Sequence, residues 1–226
     1  MNIGDIITFG HYEQDNDLTN GKEPIEWRIL FNSGGHLLVI SDKVLDKQQY
    51  NTTRTSITWE RSTIRSWLNG YDSSYNTVGN DYTSNNFIDT AFTAEEKAKI
   101  LASTVLPHLN PSGHRPDPGN ATTDKIFLLS ILEANHYFAT DTDRKAYATL
   151  YAVNNGLNSV NYDSKKTCTT SNFQENKCSA NWWLRSPSTS STYDNTGAEY
   201  VSDDGRCNTY YVNTARGIRP AMWVNY

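Results

Sequence analysis

The chain has 226 residues, 25 acidic against 20 basic for a formal net charge of -5, with apolar residues at 37% and aromatic residues at 12%. Its Lys and Arg residues are scattered singly, so no basic stripe exists to follow a phosphate backbone, and nucleic acid is excluded as an expected partner. No apolar stretch approaches the length of a bilayer span, and the first residues lack the basic and apolar regions of a signal peptide, which predicts a soluble chain with no membrane span and no export signal.

With so small an apolar share, the core must lean on tryptophan and tyrosine. Strands open the chain: residues 6–9, 25–31 and 36–40 are rich in β-branched and aromatic side chains. The last two flank Asn32-Ser33-Gly34-Gly35, where glycine supplies the positive φ of a hairpin reversal. Helical patterns follow. Residues 59–69 put Ile64, Trp67 and Leu68 on one face and stop at Asn69-Gly70, a C-terminal signature. Thr93 with Glu96, and Ser130 with Glu133, have the capping-box spacing, in which each side chain satisfies an orphan amide of the first turn. The first pair starts a helix that ends before Pro107; the second follows a buried strand over 126–129. Residues 143–155 read as a further helix closed by Gly156. Residues 71–86, 109–123 and 158–180 are polar, turn-rich loops. Short strands return after Asn181, and the order strands, helices, strands predicts a single α+β domain over residues 1–226 whose two ends pair in one sheet. Cys168, Cys178 and Cys207 are too few and too unevenly spaced for a disulfide framework; Cys168 and Cys178 could close a loop, but with no secretion signal two reduced thiols are the expected reading and the pairing stays open.

Two bulky runs, NWWLRSP at 181–187 and GIRPAMW at 217–223, bracket a segment of different character. Between them Ser, Thr, Tyr, Asp and Asn dominate, side chains that combine adaptable hydrogen bonds with stiff, amphipathic contact area. Asp203-Asp204-Gly205 suggests a three-residue hairpin loop with Gly205 in the left-handed position, which sets Val201 opposite Cys207 and turns both inward. The other face then carries Tyr200, Ser202, Arg206, Asn208 and Tyr210, with a bulge expected where Tyr211 and Val212 break the alternation. A polar hairpin tied down at both ends loses less entropy on binding than a free loop, which points to residues 182–223 as a ligand-display segment.

WWLRSP followed by G-[IV]-RPA-[LM]-W marks a bacterial domain family that this chain resembles. The similarity extends to Phe9-Gly10-His11-Tyr12-Glu13-Gln14-Asp15, Pro24-Ile25-Glu26-Trp27, Thr58-Trp59-Glu60, Ile64-Arg65-Ser66-Trp67-Leu68, Phe92-Thr93-Ala94-Glu95-Glu96 and Thr123-Asp124-Lys125-Ile126-Phe127-Leu128-Leu129-Ser130. The arrangement also resembles the variable proteins of diversity-generating retroelements. That resemblance implies a C-type lectin-like fold, shared with formylglycine-generating enzymes, and a C-terminal segment diversified by adenine-directed miscopying to recognise a protein or glycan ligand. Such miscopying of Asn-type codons never yields Lys, Gln, Glu, Met or Trp, and between Ser186 and Arg219 only Glu199 belongs to that set. The resemblance implies variable contacts at Ser188, Thr189, Tyr193, Asn195, Tyr200, Ser202, Arg206, Asn208, Tyr210, Tyr211 and Asn213. Trp182, Trp183, Arg185, Arg219, Pro220 and Trp223 would be scaffold, and the protein would be displayed on a cell surface or virion. A fixed lectin-like adhesion surface stays open on the same residues.

Calcium-dependent lectins of this fold use Glu-Pro-Asn or Gln-Pro-Asp together with Trp-Asn-Asp, and the chain has neither. Calcium-independent recognition with no metal and no cofactor is expected, Asp203, Asp204 and Glu199 being carboxylates around a hairpin tip. His11, His36, His108, His114 and His136 lack zincin spacing, and no GxSxG occurs. Cys168 and Cys178 do not match the reactive pair of formylglycine-generating enzymes, so binding rather than catalysis is expected, with such an enzyme the remaining alternative.

Overall fold

In the structure, a computed structural model, residues 1–109, 116–193 and 196–226 are described. Strands β1 (Ile6–Tyr12), β2 (Glu23–Ser33) and β3 (His36–Ser41) pair antiparallel in succession. Period-two burial drives this: Ile25, Trp27 and Ile29 are fully buried while Pro24 and Glu26 between them face out. Ser33 pairs with His36 across a Gly34-Gly35 turn with φ of 61° and 98°, the positive values that match the twist of the flanking strands. Strand β4 (Asp46–Gln49) then leaves for a second sheet.

The expected helix over 59–69 is broken at Ser62, which is extended (φ -76°, ψ 150°) and caps the amide of Arg65. Helix α1 therefore covers Thr63–Asn69, after a separate 3-10 turn at Trp59–Arg61, and ends at Gly70 in the left-handed conformation (φ 70°). Helices α2 (Phe87–Ala91) and α3 (Ala94–Lys99) follow, the latter with the Thr93–Glu96 capping box in place. Short strands β5 (Ile100–Leu101), β6 (Ser103–Val105), β7 (Thr122–Asp124) and β8 (Ile126–Phe127) lead to α4 (Ile131–Tyr137), whose Ser130–Glu133 capping box is also formed. The predicted helix over 143–155 is instead two, α5 (Asp141–Arg144) and α6 (Leu150–Asn154). Long-range bonds override local propensity here. Val44 donates to the carbonyl of Tyr147 at 2.9 Å, and the amide of Ala148 donates to that of Cys178 at 2.8 Å. Thr149 then caps α6.

Strands β9 (Ser159–Asn161) and β10 (Cys178–Ala180) pair antiparallel. The expectation of reduced thiols is corrected at this point: Cys168 and Cys178 form a disulfide, their Cα atoms 6.0 Å apart. The cause is topological. Ser159 accepts a backbone bond from Cys168 and pairs in register with Ala180, so both flanks of the loop are drawn to one strand. The remaining strands are β11 (Trp182–Pro187), β12 (Gly197–Val201), β13 (Cys207–Tyr211), β14 (Ala215–Ile218) and β15 (Ala221–Asn225).

The chain is α+β, mostly strands with a few short helices. One sheet has the order β1-β2-β3-β15-β5, with β8 also on β15, so the N- and C-terminal strands share it as expected. The second has the order β13-β12-β11-β14-β4, antiparallel except for β11 with β14. Two neighbouring segments cross from sheet to sheet, β3 to β4 and β14 to β15. They are tied together by Ser41 donating to the Pro220 carbonyl and Leu45 to the Ile218 carbonyl. Buried side chains form one continuous cluster in which Trp27, Trp59, Trp182 and Trp183 are prominent. Each of these four buries its indole N–H against an acceptor: the carbonyls of Phe9, Arg144 and Gln48 and the carboxylate of Asp124, which is what makes tryptophan affordable as core filling.

Candidate ligand-binding face

The motifs that bracket the tail are ties inside the fold. Arg185, only 3% exposed, donates to the carbonyls of Leu128 and Leu106 and forms a two-pronged pair with Glu133 at the start of α4. Burial acts to raise the Glu133 carboxyl, but the Arg185 guanidinium overcomes it and holds the group below the ordinary carboxylate range. Arg219 sits at the crossover between sheets, donating Nε to the Ser41 carbonyl at 2.8 Å and lying against the rings of Trp182 and Phe138. Its complete burial pushes its pKa down to about 10. Pro220 is buried beside it. Trp223 differs from the others: it belongs to the first sheet, is half-buried, and packs edge-on against Phe31. Farther from the tail, Asp124 is enclosed by Arg65, Trp59 and Thr122, so Thr58-Trp59-Glu60, Ile64-Arg65-Ser66 and Thr123-Asp124 meet in one buried network.

On this frame β12 and β13 form the predicted hairpin. Val201 pairs with Cys207, Tyr200 with Asn208, Ala198 with Tyr210 and Gly197 with Tyr211, without interruption. The expected bulge at Tyr211–Val212 is absent, because β13 stops at Tyr211 and Val212 turns fully inward with its amide bonded to the Thr196 carbonyl. The irregularity lies in β11 against β12, between Trp183 and Pro187. Gly205 has φ of 90°, as a three-residue loop requires, yet the tip is not a free end: Arg144 donates to the Gly205 carbonyl at 3.0 Å, and a Cβ on Gly205 would stand 1.7 Å from the Asp141 carbonyl oxygen.

Three tyrosines converge at the outer edge of the sheet. Tyr193, from the β11–β12 connection, lies 5.6 Å from Tyr210 and 4.8 Å from Tyr211 between ring centroids, and Tyr210 lies 5.6 Å from Tyr211. Two arginines complete the cluster. Arg54, exposed and far away in the sequence, places its guanidinium 3.5 Å from the Tyr211 ring centroid. Arg216 of β14 lies 3.6 Å from the Tyr200 centroid and 4.8 Å from that of Tyr210, with Trp183 beneath at 5.4 Å. Burial lowers the Arg216 pKa, opposed by the surrounding tyrosines, and its Nε has no hydrogen-bond acceptor. Neither arginine has a local sequence signal, since each reaches the site only through sheet pairing or a loop from another element.

The other predicted contacts divide. Arg206, Asn208, Tyr210 and Asn213 are exposed, and Thr189, Tyr193, Tyr200 and Tyr211 are half-buried. Thr189 spends its amide and hydroxyl on the buried Glu199. Two positions are corrected. Ser188 is fully buried, with a Cβ on Gly197 reaching within 2.9 Å of it, so it packs under the loop rather than facing a ligand. Ser202 is 9% exposed, its hydroxyl shared among Asp204, the Arg206 carbonyl and Asn208 inside the tip. Asn195, like His114, lies outside the described residues. Cys207 keeps a free, half-buried thiol whose pKa burial raises.

A family model described as a domain of unknown function (DUF6273) matches residues 34–226. The chain belongs to the DUF6273 family. No curated protein and no solved structure matches it. In this DUF6273 chain the matched residues take in all of the second sheet and both bulky runs of the tail, while β1 and β2 precede them. No helix among the described residues is long and apolar enough to cross a membrane.

Proposed function

We propose that this chain is a ligand-binding protein with a C-type lectin-like architecture, whose contact face is the outer β12–β13 edge and whose ligand is a protein or glycan. The observation that carries the reading is the cluster of Tyr193, Tyr210 and Tyr211 on an ordered edge, flanked by Arg54 and by exposed Arg206, Asn208 and Asn213. Tyrosine brings large contact area at low rotamer cost, arginine and asparagine bring adaptable polar contacts, and a supported strand holds them ready. Both chain ends sharing one sheet, with a second sheet carrying the polar hairpin, support the lectin-like architecture. The Cys168–Cys178 disulfide supports exposure to an oxidising compartment and hence display outside the cell or on a virion. Diversification is part of the proposal. Its support is that the one residue between Ser186 and Arg219 outside the adenine-accessible set, Glu199, is 2% exposed and therefore belongs to the frame.

Binding is tested by probing a glycan array and a panel of purified surface proteins with the wild-type chain and with Y193A/Y210A/Y211A. Loss of at least about a hundredfold in affinity at an unchanged melting temperature is expected, since aromatic anchors carry most of the energy of such faces. Wild-type affinity in the triple variant would overturn the reading. For diversification, the coding DNA should have a near-copy of the segment for residues 188–213 that differs only where the copy has adenine. Differences that ignore adenine would leave a fixed adhesion surface instead.

A further inference from the structure

The connection between β1 and β2 holds three carboxylates that the display face does not use. Glu13 follows β1, Asp15 lies two residues on, and Glu23 opens β2 directly opposite Tyr12. One ligand oxygen from each lies within 4.8 Å of those of the other two. Glu23 Oε2 accepts the amides of Gln14 and Asp15 at 2.6 and 3.2 Å, and Asp15 accepts from the Asp17 amide and the Asn20 side chain. Glu13 is different. It is 7% exposed, and its Oε1 is buried with no hydrogen-bond donor. An ionised oxygen removed from water without a donor is a heavy cost that native structures seldom leave uncompensated.

Neighbouring lysines do not meet this need. Lys22 donates to the Thr90 carbonyl and Lys43 pairs with Glu175, and among the described residues no lysine or arginine forms an ion pair with any of the three carboxylates. Oxygens no more than 4.8 Å apart share a point no more than about 2.8 Å from all of them, within a small shift of the 2.3–2.6 Å of calcium–oxygen bonds, and three carboxylates on one irregular loop suit calcium's flexible shell better than the near-ideal octahedron magnesium demands. Asp15 and Glu23 also line an open cleft with Gln14, Lys43, Phe173 and Glu175, through which an ion and its water ligands can enter.

We propose that Glu13, Asp15 and Glu23 form a calcium site that clasps the base of the β1–β2 loop. The site lies on a different element from the tail, whose lack of lectin calcium triplets it leaves untouched, and it does not depend on the ligand-binding reading. The three carboxylates are the protein ligands, water completes the shell, and the buried Glu13 oxygen gains its missing partner.

Calorimetric titration of chelator-treated full-length protein with calcium chloride should give one site with a Kd of about 10⁻⁴–10⁻³ M, the range of extracellular calcium modules, and magnesium chloride should bind at least tenfold more weakly. The melting temperature should rise with calcium. Glu13→Gln should weaken calcium binding at least tenfold and, by removing an unpartnered buried charge, leave the melting temperature in chelator unchanged or higher. A merely structural Glu13 would instead lower it. Should E13Q fail to fold, Asp15→Asn, on an exposed residue, gives the same readout: a folded protein with at least tenfold weaker calcium binding. Absence of any heat or melting shift at calcium tenfold above that range, or wild-type affinity in the folded variants, would overturn the proposal.

Discussion

Gly205 and Gly34 both have positive φ, at 90° and 61°, but their surroundings are opposite. A Cβ on Gly34 meets nothing within 4 Å, whereas one on Gly205 would collide with the backbone of α5. Gly205→Ala should therefore cost at least about 2 kcal/mol, combining left-handed strain with a clash that backbone must absorb. Gly34→Asn should stay within about 0.5 kcal/mol, because asparagine tolerates that conformation in an open turn. Urea unfolding of the two variants checks the pair, and equal losses would contradict the docking of the tip on α5. At this scale the hairpin register could be read from the sequence because alternation and a glycine turn are local signals. The inward turn of Ser188 could not, since it depends on the loop folding back over Gly197, and neither could Arg54, which meets Tyr211 only in three dimensions.

The elements that local chemistry specifies are the ones the sequence announced. The capping boxes at Thr93–Glu96 and Ser130–Glu133 both form, since their donors and acceptors lie within one turn. The break at residues 145–149 and the Cys168–Cys178 pairing were illegible because Val44, Cys178 and Ser159 supply the deciding bonds from afar. The link between α4 and β11 makes a pH prediction. The Glu133 carboxyl is held below its ordinary value of 4.5 in the folded chain. Its contribution to stability is therefore present above the unfolded value and lost as pH falls through the folded one. Glu133→Gln should cost about 2–3 kcal/mol at neutral pH by stranding Arg185, toward the low end for a buried pair because the Glu133 side chain is 24% exposed. The gap between wild type and variant should narrow steadily below pH 4.5. Denaturant unfolding at a series of pH values measures it, and a gap independent of pH would show that the pair adds nothing through charge.

Across the whole molecule, the buried arginine ties and the polar tail do different work. Arg65 with Asp124, Arg185 with Glu133, and Arg219 with the Ser41 carbonyl tie helices and sheets together, and the crossover at Arg219 and Pro220 joins the two sheets. The α+β order and the pairing of the chain's ends followed from the sequence, because hydrophobic periodicity reports element type and order. The second sheet did not, since its parallel β11–β14 contact and its edge partner β4 join segments with no local signature. What the frame leaves outside is a short edge of Tyr193, Arg206, Asn208, Tyr210, Tyr211 and Asn213. Its separability from the fold is measured by randomising twelve positions one at a time on the surface of yeast and sorting for resistance to protease. Those six edge positions should accept most substitutions, while Trp182, Trp183, Arg185, Gly197, Gly205 and Arg219 should accept few. An edge as intolerant as the frame would mean that these tyrosines are structural, and would contradict a display surface carried on a fixed scaffold.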